Sequence, residues 1–249
     1  MKISYDGSGY SGWQVQPGEV TIQSEIERSL KIVLKEKIKI TCAGRTDAGV
    51  HALAQVAHFD FENDVDPYTL RRSLNGLLAD DIRILEVKEA DKNFHARKSA
   101  LKKNYIYLLS DDSVASPLLK NRVYYYFRKL DIPAMREAAE RLIGEHDFRS
   151  FQAYDCNSAT SVRNVYDFSI DKKEILGFTV IEFSIVGSGF LKHMVRNISG
   201  TIIEVGAKKI TLNKFIDILG SRDRINAGPT APARGLYLKE VVYQEGSVL

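Results

Sequence analysis

Apolar residues recur at helical spacing in five places along the chain. Ile22, Ile26, Leu30, Val33 and Leu34 fall on one helical face, with Thr21 where an N-cap belongs. Leu70, Leu74, Leu77 and Leu78 form a second stripe, introduced by Asp66-Pro67, a cap followed by a first-turn proline. A third helix is expected from Asp131, burying Met135, Ala138, Ala139, Leu142 and Ile143 and stopping at Gly144. The fourth uses Leu191, Met194, Val195, Ile198, Ile202 and Val205. A short fifth follows Thr211 through Leu212, Phe215 and Leu219.

Between these stripes the period drops to two. In IKITCA, Ile38, Ile40 and Cys42 share a face. Further on, Leu53, Ala57, Phe59 and Phe61 are expected to point inward, and His58, Asp60 and Glu62 outward. NYIYLL, NVYDFSI, FTVIEFSIVG and GLYLKEVVY read as further strands. The order strand–helix–strands–helix–strand occurs twice, over about 1–97 and 98–249. It predicts an α+β chain of two halves, each a mostly antiparallel sheet with helices on one face. No low-complexity linker divides them, so the two sheets are expected to join into a continuous one.

Composition narrows the class. With 249 residues, 44% hydrophobic and 27% charged, the chain has the make-up of a globular protein with a substantial core. No run of about 18 apolar residues is present, which argues against a membrane span. MKISYDG enters a strand at once, leaving no room for a signal peptide. Cys42 and Cys156 fit no ligand spacing, and two lone thiols suit a reducing cytoplasm. The net charge of +3 permits nucleic-acid binding without announcing it. The basic residues do cluster, at Lys98, Lys102 and Lys103, at Arg71 and Arg72, at Lys192 and Arg196, and at Lys208 and Lys209.

Some motifs mislead. GSGYSG, Gly7 to Gly12, matches the dinucleotide fingerprint, but Trp13, Gln14, Pro17 and Gly18 follow where a helix would have to open. ISYDGSG offers a single carboxylate where phosphoaspartate chemistry wants a second and a metal. His51 and His58 lie an odd number of residues apart and would face opposite sides of one strand, so with Cys42 they make a poor metal site. The five scattered histidines support no Ser-His-Asp arrangement.

AGRTDAGVHA, Ala43 to Ala52, is the stretch that suggests chemistry. It sets Arg45, Thr46 and Asp47 between two glycines at a strand-to-strand loop, where rigid scaffolds place reactive groups. On the residues alone, Asp47 serves equally well to close an Asx turn, with Arg45 solvated.

Five stretches in order, ISYDGSGYSGWQVQP, AGRTDAGVHALAQVAHF, SALKKNYIY, GSGFLKHMVRNISG and AGPTAPARGLYL, resemble the tRNA pseudouridine synthase A (TruA) family over nearly the whole chain. Ser8 and Lys192 stand where that family more often has Thr and Arg. The resemblance implies two ferredoxin-like-related halves with the active-site cleft between them. It implies isomerisation of uridine to pseudouridine in tRNA, at positions 38, 39 and 40 of the anticodon stem-loop, with no cofactor and no metal. Asp47 matches the catalytic aspartate, and three routes stay open: attack on C1′, attack on C6, or assistance to a glycal. Arg196, read as one helical turn after Lys192, matches the arginine that pairs with that aspartate. Tyr105 matches the active-site tyrosine, although Tyr107 shares its strand face. Arg45 is the implied phosphate or base-displacement contact. The family also implies a cytoplasmic homodimer sharing one tRNA.

Overall fold

A computed structural model of the chain describes residues 1–244. Its elements run β1 (Lys2–Tyr5), α1 (Ile22–Leu34), β2 (Thr41–Cys42), β3 (His51–His58), α2 (Pro67–Leu77), β4 (Ile82–Glu86) and β5 (Lys102–Ser110). They continue with β6 (Tyr124–Tyr125), α3 (Ile132–Glu140), β7 (Gly144–Asp147), β8 (Val162–Ile175), β9 (Phe178–Gly187), α4 (Met194–Gly206), α5 (Leu212–Ser221) and β10 (Leu236–Val242). The class is α+β, as the alternation of periods predicts. No helix among the described residues is long and apolar enough to cross a membrane.

Two compact units are present, one of residues 1–103 with the chain from Tyr237 onward, the other of residues 104–236. In the first unit the strands lie in the order β4-β1-β3-β10. β1 is antiparallel to both β3 and β4, whereas β10 runs parallel to β3, setting Tyr237 beside His51. β2 pairs with the far end of β3. Thr21 caps α1 through a reciprocal box with Ser24, and Ile22, Ile26 and Leu30 are fully buried beneath it. Asp66 caps α2 by accepting from the Tyr68 and Thr69 amides.

The second unit orders its strands β5-β9-β8-β7, with β6 parallel to β5. β8 and β9 form a long hairpin closed by Leu176 and Gly177, whose φ values of 50° and 78° are those of a type I′ turn. From Tyr105 to Ser110 every residue of β5 is buried, so both of its faces are covered.

Three expectations need correction. The third helix ends at Glu140: Leu142 and Ile143 donate to carbonyls only three residues back, and Gly144, at φ 105°, opens β7 instead of capping the helix. Leu142 remains buried, while Ile143 is exposed. The fourth helix starts at Met194, after His193 in the left-handed region, so Leu191 and Lys192 precede it and Lys192 is not one turn before Arg196. On β3, Leu53 is exposed and Phe59 and Phe61 lie beyond the strand. The inward positions around Leu53 belong instead to His51 and Gln55, polar groups that hydrogen bonds satisfy.

His58, at the end of β3, makes the first unit sensitive to acid. Its Nδ1 accepts from the Ala96 amide at 3.2 Å, and its ring faces Phe94 and His95. Burial, and then the neighbouring His95, lower its pKa below 6.5, against the pull of Asp60. The unfolded chain therefore binds the proton more readily, and stability is lost as pH falls from 6.5 toward the folded value. His58→Asn keeps a short acceptor without a titrating ring. Its melting temperature is expected to fall less between pH 7.5 and 5.5 than that of the unsubstituted protein; parallel pH curves would show that His58 contributes nothing.

Candidate active site

The loop after β2 is held by side chains that bond its carbonyls and by main-chain hydrogen bonds. Lys103 Nζ donates to the Ala43 carbonyl at 2.7 Å, and fully buried Gln55 donates to the Gly44 carbonyl at 2.7 Å. Buried Thr46 shares a 2.8 Å hydrogen bond with the Tyr5 hydroxyl, and its carbonyl accepts from the Trp13 amide at 3.0 Å. The turn itself is closed by Val50 N–H donating to the Asp47 carbonyl at 3.1 Å, with Gly49 at φ 75° as the residue that can take the left-handed position. This geometry leaves Asp47 half-buried and Arg45 exposed. Burial pushes the adjacent Cys42 thiol up to about 11, against the pull of the Lys103 and Arg45 cations, so Cys42 is not a nucleophile at neutral pH.

The glycines of GSGYSG have a purpose other than phosphate binding. Gly7 to Gly9 form a single 3-10 turn capped by Asp6, and the next helix begins only at Ile22. A Cβ on Gly7 would lie 2.0 Å from the Val50 carbonyl oxygen, and one on Gly12 would lie 2.8 Å from the Thr46 carbonyl oxygen. Both glycines let this segment press against the back of the Asp47 loop. His51 locks the contact: buried, stacked on Tyr237, it sets Nδ1 3.1 Å from both the Gly7 amide and an Asp6 carboxylate oxygen.

In the second unit, Tyr105 and Tyr107 are distinguished by their surroundings. Tyr107 is wholly buried and donates its hydroxyl to the Pro232 carbonyl at 2.9 Å. Burial raises its pKa, although Arg196 and Arg234 both pull it down, so it stays protonated and occupied. Tyr105 instead packs edge-on against Phe190 at 5.1 Å. Phe190 belongs to the GSGF segment, which Ser188 and Asn164 fix to β8.

Arg196, half-buried on α4, donates Nε–H to the Ala231 carbonyl at 2.8 Å and receives the Ala231 amide on its own carbonyl at 3.1 Å. The segment carrying Ala231 is tied along α4. Buried Asn197 accepts from Thr230 and Arg224 and donates to the Phe151 carbonyl, and Thr201 accepts the Gly228 amide. A Cβ on Gly200 would lie 1.8 Å from the Pro229 carbonyl oxygen, so the close approach requires glycine. Lys192 is held by Asp155 at 2.5 Å, Lys208 lies 3.5 Å from Asp131 and Lys209 lies 3.0 Å from Glu204, which reduces the basic field the sequence suggests.

Arg45 and Asp47 thus share one loop of the first unit, and Tyr105 and Arg196 stand in the second. A surface depression bordered by Asp131, Arg136 and Asp171 contains none of the four. Among the described residues no group of three or more His, Cys, Asp and Glu is placed to hold a metal. Sequence reasoning missed the bracing residues Gly7, Gly12, Thr46, Gln55, Asn197 and Arg224. For Asn197 a signal existed, a polar residue inside an apolar helical stripe.

A family model described as tRNA pseudouridine synthase matches residues 1–97 and 138–244, which include Arg45, Asp47 and Arg196 but not Tyr105. The chain is 44% identical over 241 residues to tRNA pseudouridine synthase A of Acetivibrio thermocellus, covering 97% of each. It is 44% identical over 245 residues to tRNA pseudouridine synthase A of Methylococcus capsulatus, covering 98% of this chain and 89% of that one. With the protein of the same name from Thermoanaerobacter sp. the identity is 40% over 241 residues and 97% of each. A likeness this high over nearly the whole length settles the kinship, and the chain belongs to the tRNA pseudouridine synthase family, a family of isomerases.

Proposed function

We propose that the chain isomerises uridine to pseudouridine in tRNA, at positions 38, 39 and 40 of the anticodon stem-loop, with Asp47 as the reacting carboxylate. The observation that carries this reading is the braced Asp47 loop, a half-buried carboxylate on a rigid turn, in a chain 44% identical to a tRNA pseudouridine synthase A over 97% of its length. In the reaction the N1–C1′ bond breaks, the uracil turns, C5 bonds to C1′, and C5 loses a proton while N1 gains one. Atoms and electrons balance without a cofactor. Asp47 supplies the charge or nucleophile beside the sugar, Tyr105 a ring for the extruded base and a phenol near its proton, and Arg196 a guanidinium for developing charge. Arg45, exposed beside Asp47, contacts the RNA backbone. A base in a stem must leave the stack at a cost of about a few kcal/mol, which these contacts offset.

The test is tritium release from transcribed tRNA carrying 5-tritiated uridine, with the product mapped by nucleotide position. Release with pseudouridine at 38–40 is expected. No release, or product at another position, would overturn the substrate assignment. The working form is a cytoplasmic homodimer sharing one tRNA; sedimentation showing a fully active monomer at assay concentration would remove that part.

Arg196→Lys is expected to lower turnover at least about tenfold, equivalent to about 1.4 kcal/mol of barrier. The arginine donates Nε–H to Ala231 and presents a planar fork of further donors, whereas lysine brings a single ammonium. Wild-type turnover in this variant would reduce Arg196 to a structural tie for the Ala231 segment.

A further inference from the structure

Beside the Ala231 segment the second unit carries a row of cations and aromatic rings that the reaction does not use. Tyr124 on β6 and Tyr126 just past its end are half-buried, their rings edge to face with centroids 6.4 Å apart. The Arg234 guanidinium lies over Tyr124 at 5.8 Å, and Lys209 Nζ lies over Tyr126, also at 5.8 Å. Both cations are exposed, and Lys209 also bonds Glu204 at 3.0 Å. The intervening Tyr125 faces away: its ring stacks on Phe127, and its hydroxyl accepts the Ser116 amide. The row is therefore cation, ring, ring, cation, on one side of the strand.

One end of the row lies near Arg196. Ala231, which exchanges two hydrogen bonds with Arg196, is three residues from Arg234, and Arg196 and Arg234 both act on the phenol of Tyr107. Residues 98–137 fall between the two segments matched by the family model, so Tyr124 and Tyr126 lie outside those segments.

We propose that Arg234, Tyr124, Tyr126 and Lys209 form a platform for the RNA strand flanking the target uridine. A tyrosine ring takes an unpaired base by stacking, and the cation at either end takes a backbone phosphate. Exposed cations beside aromatic faces are the arrangement that holds unpaired nucleotides without reading their sequence. An acidic partner would use the cations but leave the rings idle. The proposal rests on the tRNA reading for its substrate, but binding tests it separately from catalysis.

The experiment measures the affinity of transcribed tRNA over a range of salt, with tritium release in parallel, for Arg234→Gln, Lys209→Gln, Tyr126→Leu and Lys173→Gln. Lys173 is exposed on β8, away from the row, so its variant removes an equal charge elsewhere. Arg234→Gln is expected to weaken binding about tenfold and to reduce the slope of log affinity against log salt by about 0.7–0.9, one phosphate contact. Lys209→Gln moves both quantities the same way. Tyr126→Leu weakens binding several-fold with the slope kept, and the losses appear as raised KM. Lys173→Gln binds as the unsubstituted protein does. Should Tyr126→Leu lower the melting temperature, the two exposed cations decide alone. Arg234→Gln and Lys209→Gln indistinguishable from Lys173→Gln in affinity and slope would overturn the platform. Binding that follows the expected pattern in a protein that releases no tritium supports the platform and removes only the assigned reaction.

Discussion

Asp47→Asn is expected to abolish pseudouridine formation while tRNA affinity stays within a few fold. Asparagine has nearly the volume of aspartate, and the loop has several supports that do not involve the carboxylate. Those are the Thr46 bonds to Tyr5 and Trp13, the Gln55 and Lys103 bonds to carbonyls, and the Val50 amide on the Asp47 main chain. The melting temperature should therefore change little. The amide cannot attack C1′ or C6, nor take a proton, so all three routes fail together. A loss of at least about a thousandfold, about 4 kcal/mol of barrier, is the expected scale. Single-turnover tritium release reads it, and filter binding on the same tRNA reads affinity. Turnover within tenfold of the unsubstituted protein would remove Asp47 from the chemistry.

How far the sequence could be read depended on what fixes each feature. The α1 boundary was legible because Thr21 and the Ile22–Ile26–Leu30 stripe are local signals, and both act as expected. β9 was legible for the same reason, since in FTVIEFSIVG the buried Ile181, Phe183 and Ile185 alternate with Glu182 and Ser184. The end of α3 was not: Gly144 resembles a helix stop, but its φ of 105° serves the entry to β7, which depends on pairing with β8 some twenty residues away. Leu53 misled because the inward positions of β3 are taken by polar His51 and Gln55, whose partners are main-chain groups of distant loops. The candidate residues Arg45 and Asp47 stood out through the flanking glycines. Their supports did not, because a close backbone approach leaves no mark in sequence beyond glycine itself.

That point gives the second large effect. The three glycines of GSGYSG should differ sharply when each is changed to alanine. At Gly9 a Cβ would meet nothing within 4 Å, so Gly9→Ala should fold and turn over normally. At Gly7 a Cβ would lie 2.0 Å from the Val50 carbonyl oxygen and 2.7 Å from its carbon, both main-chain atoms that cannot swing aside. At Gly12 a Cβ would meet the Thr46 carbonyl oxygen at 2.8 Å, and the residue sits at φ 85°, where a side chain adds a strain of about 1–2 kcal/mol. Relief in either variant must move the Asp47 loop or the segment pressed against it. Each should cost about 1–3 kcal/mol of stability from overpacking alone, Gly12→Ala more. Because catalysis needs reacting atoms held to within about an ångström, turnover in the molecules that do fold should fall by about a hundredfold. A nucleotide-binding loop would respond differently, losing a ligand rather than the position of Asp47. The deciding measurements are thermal melting and turnover at saturating tRNA, made below each variant's melting temperature. Gly7→Ala with unaltered turnover would show that the Asp47 loop is positioned by something other than this contact.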